Sequence, residues 1–199
     1  GHNLYVCSLG GRNGSFGNGS KPDFPLAAVG GTNGALAKLA NPTARTYKGD
    51  TIHVLPGHVE SVSAADYFSD TGAASDFSIV GYGLGTHRPT FNWTAAASTW
   101  LIDTIGVEIV NCVLNFAVTA STVVVTPITI SAADCRIADC YINWGASTTV
   151  GCGSTLGAIA VVTAREFVFT GNTCVNLAVA GTSTNAITFL SLNAADYAV

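Results

Sequence analysis

Apolar segments recur along this chain at a nearly constant interval, and that interval limits the folds open to it more than any other feature. "FSIVGY" begins at Phe77, "VEIVNC" at Val107, "CRIADC" at Cys135, "FVFTGN" at Phe167 and "YAV" at Tyr197, giving intervals of 30, 28, 32 and 30 residues. A second register runs alongside: "FNW" ends at Trp93, "LNF" at Phe116, "INW" at Trp144 and "VNL" at Leu177. A third short apolar piece precedes each later unit, namely "WLIDT", "ITISA", "IAVVT" and "ITFLS". The runs are rich in Val, Ile, Thr and aromatics and are separated by Gly, Asn, Ser and Asp, which signals strands joined by turns. Helical periodicity is absent from them. A unit of about 30 residues cannot bury its own apolar face, whereas stacked units share one core. The repeat therefore predicts an all-β parallel β-helix, a solenoid with coils of about 30 residues.

Side chains alternate across a strand. In the "xNx" strands this places Phe91, Leu114, Ile142 and Val175 in one interior row, and Trp93, Phe116, Trp144 and Leu177 in the next. Asn92, Asn115, Asn143 and Asn176 then face outward, and at a strand spacing of about 4.8 Å their amides form a ladder. Such a ladder either braces the coils or offers a polar strip to a glycan or a partner protein.

A solenoid end must be capped. "GTNGALAKLANPTARTY" predicts a short helix, with Thr32 or Asn33 as N-cap, an apolar stripe of Ala35, Leu36, Leu39 and Ala40, and Asn41-Pro42 as its stop. Residues 1–48 thus comprise a strand ("NLYVCSLGG"), a Gly/Asn-rich loop and this helix, and 49–199 comprise the coils, expected to continue beyond Val199. "DTIHVLP" is the first strand after the cap, with His53 facing outward. Pro56-Gly57 marks a turn, His58 follows it, and "HVESV" begins the next strand.

Charged residues make up only 10% of the chain and hydrophobic ones 48%, a packed protein's composition. The eight Lys and Arg are scattered, so no basic stripe offers itself to nucleic acid. Apolar runs such as "STVVVTPITI" are too short and interrupted to span a bilayer, and no signal-peptide pattern opens the chain. The six cysteines form no CxxC pair and read as small buried hydrophobes in preference to bridges or metal ligands. The acceptor triplets at Asn13, Asn18 and Asn92 are expected to be unmodified.

"GDTIHVLPGHVESV" (Gly49 to Val62) and "IVGYGLGTHRPTF" (Ile79 to Phe91), preceded by "NLYVCSLGG" and followed by "VEIVNCVLNF", resemble the pectin-lyase-like right-handed β-helix structural proteins of tailed bacteriophages. The resemblance covers nearly the whole chain; the two motifs carry it, and the later coils would match any β-helix. It implies a right-handed β-helix in the virion, assembled in the host cytoplasm, commonly a homotrimer contacting other capsid or tail proteins, with no membrane or nucleic-acid partner. Its location would be the head surface, a fibre or the tail. The same fold serves tailspikes that bind or cleave bacterial surface polysaccharide, so fold alone does not choose.

Glycoside hydrolysis generally requires two carboxylates across the scissile bond. The coils offer Asp103, Glu108, Asp134, Asp139, Glu166 and Asp196, seldom in matching positions. Glu108 aligns with Arg136, a surface ion pair. Asp139 aligns with Asn111 and Gly171, a series of turn residues. Of the motifs expected in pectin-active hydrolases, Gly57-His58 is followed by Val59, and Arg136 is followed by Ile137-Ala138 where Lys is expected at 138. No catalytic residue and no cofactor is assigned. Asp66, Asp70 and Asp76 form a weak candidate cation cluster, otherwise turn formers and solvated charges. His87-Arg88 reads either as a contact to a neighbouring subunit or as a turn in which Gly83 and Gly85 supply positive φ. The sequence thus favours a non-enzymatic virion protein, a head decoration or fibre; the alternative is a tailspike-like glycan receptor in which exposed aromatics such as Tyr141 stack on sugars.

Overall fold

The computed structural model describes residues 1–8, 38, 39, 46–68, 75–116, 126–145, 159–162, 165–176 and 187–191. Among these residues sixteen short strands form three parallel sheets. The first sheet stacks β1 (Asn3–Val6), β2 (Thr51–Val54), β5 (Ser78–Gly81), β8 (Glu108–Val110), β11 (Arg136–Ala138) and β14 (Val168–Thr170). The second stacks β3 (Val59–Val62), β6 (Thr90–Trp93), β9 (Val113–Asn115), β12 (Tyr141–Gly145) and β15 (Thr173–Asn176). The third stacks β4 (Ala65–Phe68), β7 (Thr99–Ile102), β10 (Ile128–Ile130), β13 (Ile159–Val162) and β16 (Ile187–Ser191). Each coil visits the three sheets in turn and pairs with the coil beneath, the parallel β-solenoid that the repeat predicts.

Alternation sends one set of side chains into a shared core. Leu4, Ile52, Ile79, Ile109, Ile137 and Phe169 stand in register as one row of the first sheet. The four Ile in this row have at most 1% of their surface exposed. Each such burial contributes about 1.5–3 kcal/mol. Where the second and third sheets meet, Trp93 packs on Trp100 (4.7 Å between centroids) and edge-on to Phe116 (4.6 Å). The buried Trp93 indole N–H is satisfied by the Pro127 carbonyl at 3.0 Å.

Two series of tight turns join the sheets. Ahead of the first sheet stand Gly49, Asp76, Gly106, Asp134 and Glu166, all with φ between 53 and 77°. After it, Asn111, Asp139 and Gly171 have φ of 56, 54 and 65°, as their alignment predicts. The left-handed conformation favours Gly, Asn and Asp, because a Cβ there crowds the carbonyl. The turns also stack tightly: a Cβ on Gly106 would collide with Asp76 Oδ1, and one on Gly171 with Asp139 Oδ1.

The structure corrects the sequence reading at three places. Ala65–Phe68, whose Asp66 is read above as a cation ligand or turn former, is strand β4, paired with β7. The fourth rung of the second sheet is shifted by one residue, since Ile142 pairs with Cys174 and Asn143 with Val175. Asn176 therefore lies opposite Gly145, beyond an irregularity between Asn143 and Gly145, and does not continue the asparagine row. The third concerns Val175, expected in the interior row: Cys174 takes that place and packs against the core. The proposed capping helix falls outside the described residues except for Lys38 and Leu39, of which Leu39 is buried in the core.

The turn geometry predicts opposite outcomes at one position. Asp139→Gly should leave the urea midpoint nearly unchanged, whereas Asp139→Val, which puts a β-branched side chain at positive φ, should cost about 1–2 kcal/mol. Equal midpoints would show that this turn conformation is not fixed.

Candidate functional site

The outer face of the second sheet carries an open concavity. Its floor is the outward row Thr90, Val113 and Tyr141, brought into line by the pairing of β6, β9 and β12. Its wall is an insertion: between β5 and β6 the chain adds a loop that the other coils lack, including a single 3-10 turn over Gly85–His87. Gly83 (φ 114°) and Gly85 (φ 54°) allow the chain to leave and re-enter the coil. Gly85, Thr86, Arg88, Thr90, Val113 and Tyr141 line an open groove of about 500 Å³. None of these lining residues is an acid.

Arg88 fixes the loop to the solenoid. Its Nε donates to Asn111 Oδ1 at 2.7 Å and its Nη2 to the Asp139 carbonyl at 2.6 Å. Asn111 in turn donates from Nδ2 to the carbonyls of Gly81 (2.8 Å) and Gly83 (3.2 Å). One guanidinium thus ties the loop to turns of the two following coils. His87 is exposed, and its carbonyl accepts the Gly57 N–H at 2.7 Å. Both residues belong to the turn, and the Arg88 bonds among the described residues lie within the chain.

Beside the groove runs the asparagine ladder. Asn115 Nδ2 donates to Asn92 Oδ1 at 3.1 Å, and Asn143 Nδ2 donates to Asn115 Oδ1 at 3.2 Å. Three of the four expected rungs are therefore joined. Of the aromatic row flanking it, Trp93 and Phe116 are buried in the core. The Trp144 side chain and Leu177 lie outside what is described.

The carboxylates are dispersed. Asp76 is exposed at a turn, where bonds from Lys48 (3.0 Å) and Ser75 (3.1 Å) hold its carboxyl below the ordinary value. Asp66 lies on β4 in register with Trp100, and Asp70 is outside the described residues. No group of three potential metal ligands occurs among the described residues. Glu108 pairs with Arg136 as the alignment indicates and also accepts from Ser78 Oγ at 3.1 Å.

A buried polar cluster escaped the sequence reading. His58 is fully buried, and its Nδ1 accepts the Ser8 N–H at 2.9 Å. That bond leaves the ring proton on Nε2, 3.1 Å from Glu60 Oε2, which also accepts the Leu39 N–H at 2.7 Å. The signal was available: Glu60 is in register with Phe91, so strand alternation points it inward. On the first sheet, His53 faces outward as predicted, between Tyr5 (4.9 Å, stacked) and Tyr82, whose hydroxyl is 2.8 Å from Nδ1. Partial burial lowers its pKa.

Cys112 and Cys140 occupy the same interior corner of successive coils, beneath Arg88, and the Cys112 N–H points at Cys140 Sγ at 3.5 Å. All five described cysteines are free, and four are buried. Burial dominates the ionisation of Cys112 and Cys140. It raises Cys112 well above 9.0 and Cys140 to about 11, although the Arg88 charge acts in the opposite direction on both.

Comparison with protein-family models, curated proteins and solved structures finds no match to this chain.

Buried thiols of this kind should be inert, because the thiolate is the nucleophile. Cys112 and Cys140 should resist labelling by a thiol reagent at pH 8 in the native protein and react promptly in denaturant; prompt native labelling of either would contradict their burial. Their folded pKa values exceed the ordinary 9.0, so the unfolded chain loses these protons first as pH rises. This contribution to stability is intact below pH 9 and should fall between pH 9 and about 11, with the loss reduced in a Cys112→Ala/Cys140→Ala variant.

Proposed function

We propose that this chain is a non-enzymatic structural protein of a tailed-bacteriophage virion, a head decoration or fibre component, built as a right-handed β-helix. It would assemble as a trimer with other virion proteins. The observation that carries this reading is where the polar groups go. Arg88, Asn111, Asn115, Glu108 and Arg136 each bond a neighbouring coil, as do Lys48 and Asp76, and His58 and Glu60 bind the ends of other segments at the base of the stack. Side chains used in this way stiffen a rod, and hydrogen-bonded strands transmit load from coil to coil. The resemblance of Gly49 to Val62 and Ile79 to Phe91 to virion β-helix proteins supports the same reading.

Cryo-electron microscopy of intact particles that carry the chain tests it. Density for the three-sheet solenoid in symmetric copies on a shell or fibre is the expected result. The reading fails if purified particles lack the chain, or if the isolated protein releases reducing ends from the host's surface polysaccharide.

A further inference from the structure

The base of the solenoid is fastened by a titratable side chain in a role that only its neutral form can fill. His58, the residue before β3, is fully buried. Its backbone is held on both sides: its N–H donates to the Leu55 carbonyl at 3.2 Å, and its carbonyl accepts the Thr90 N–H at 2.8 Å. The ring lies against Phe91 of β6, 5.4 Å between centroids. Nδ1 accepts the Ser8 N–H at 2.9 Å, and Nε2 faces Glu60 Oε2 at 3.1 Å. Among the described residues Glu60 is the charged group paired with His58, and its Oε2 also accepts the Leu39 N–H.

An imidazolium carries a proton on each ring nitrogen. A proton on Nδ1 would set N–H against N–H across the 2.9 Å to the Ser8 nitrogen, so that bond and the charged ring exclude each other. Nε2 keeps its partner in both forms, and the Glu60 carboxylate beside it favours the charged one. Two arrangements follow, a neutral ring with Ser8 bound and a charged ring with Ser8 released. Ser8 is the side that yields, because it is exposed and stands two residues past the end of β1, whereas the ring is enclosed. A second bond goes with it, since Ser8 Oγ accepts the Val59 N–H at 2.8 Å.

We propose that His58 is an acid-operated latch: a proton taken from solvent onto Nδ1 expels the Ser8 N–H, and the chain leaving β1 separates from the start of β3. Histidine suits the task because its ordinary charge change falls in the mildly acidic to neutral range. The start of β1 is held independently by Asp50, which accepts the His2 and Tyr47 N–H groups, and the strand itself is paired with β2. Opening is thus confined to the far end of β1. The inference concerns this junction alone and does not depend on the particle assignment.

Residue-resolved amide exchange at about pH 7.5 and about pH 5, corrected for the intrinsic effect of pH, tests it. The Ser8 and Val59 amides should together lose protection about tenfold or more in acid. The Leu55 amide, bonded to the Val6 carbonyl, and the Leu39 amide, bonded to Glu60, should keep theirs. His58→Asn, whose side-chain oxygen can replace Nδ1 and does not titrate, should hold Ser8 alike at both pH values. Glu60→Gln should move the opening to lower pH by about one unit or more. Nitrogen chemical shifts of the His58 ring in the parent protein, which require no variant, should show Nδ1 gaining its proton over the same range. The inference is overturned if Ser8 is equally protected at both pH values, if it opens while Nδ1 stays unprotonated, or if folded His58→Asn opens in acid like the parent. Loss of protection at Leu39 in place of Ser8 would put the proton on Glu60 and would also overturn it.

Discussion

Parallel pairing between coils governs this molecule, because each strand can satisfy its backbone only if the chain returns one strand spacing further on with the same side chains facing inward. A slip of one residue would exchange the inner and outer faces of a strand. The unbroken register from Leu4 through Ile137 to Phe169 meets that demand, as does the recurrence of positive φ at equivalent corners. The turns and rows are therefore one constraint: Asp, Asn and Gly alternate at the corners because the corner must be left-handed, and Ile repeats in the row because the corner fixes its phase.

Where coils differ, polar groups mend the difference. The insertion between β5 and β6 would be a loose flap without Arg88, which bonds forward to Asn111 and the Asp139 carbonyl and so uses two regular corners as its anchor. At the base of the stack, Glu60 stands in a row that otherwise carries Phe91, Leu114 and Ile142. A carboxylate there would be costly if unpaired, and it is satisfied by His58 and the Leu39 N–H. Both devices join segments far apart in sequence.

How much of this was legible depended on the range of the signal. The coil repeat, the outward His53, the Glu108–Arg136 pair and the Asn111–Asp139–Gly171 corners all follow from spacing within the repeat, which parallel stacking converts directly into proximity. The fourth rung misled because Asn176 looks like Asn143, yet seven residues separate Cys135 from Ile142 and Phe167 from Cys174 alike. Counting from the corner gives the correct partner where matching by residue type does not. Strand β4 was masked because its single acid, Asp66, was grouped with Asp70 and Asp76. Arg88 and Tyr141 were singled out separately, but not the groove that joins them, since it depends on an insertion standing beside Val113 and Tyr141, and no local pattern encodes that.

Backbone amide hydrogen exchange tests most directly whether shared coil-to-coil pairing holds the structure. The Thr90, Val113, Tyr141 and Thr173 amides each donate to the corner carbonyl of the preceding coil, at His58, Pro89, Cys112 and Cys140. With register as the governing constraint, the Val113 and Tyr141 amides should be strongly protected, and Ile137→Ala should accelerate both together, since a core cavity loosens the adjoining coils as a unit. Fast exchange at Val113 and Tyr141 in the parent protein, or acceleration confined to the strand bearing the substitution, would contradict the account.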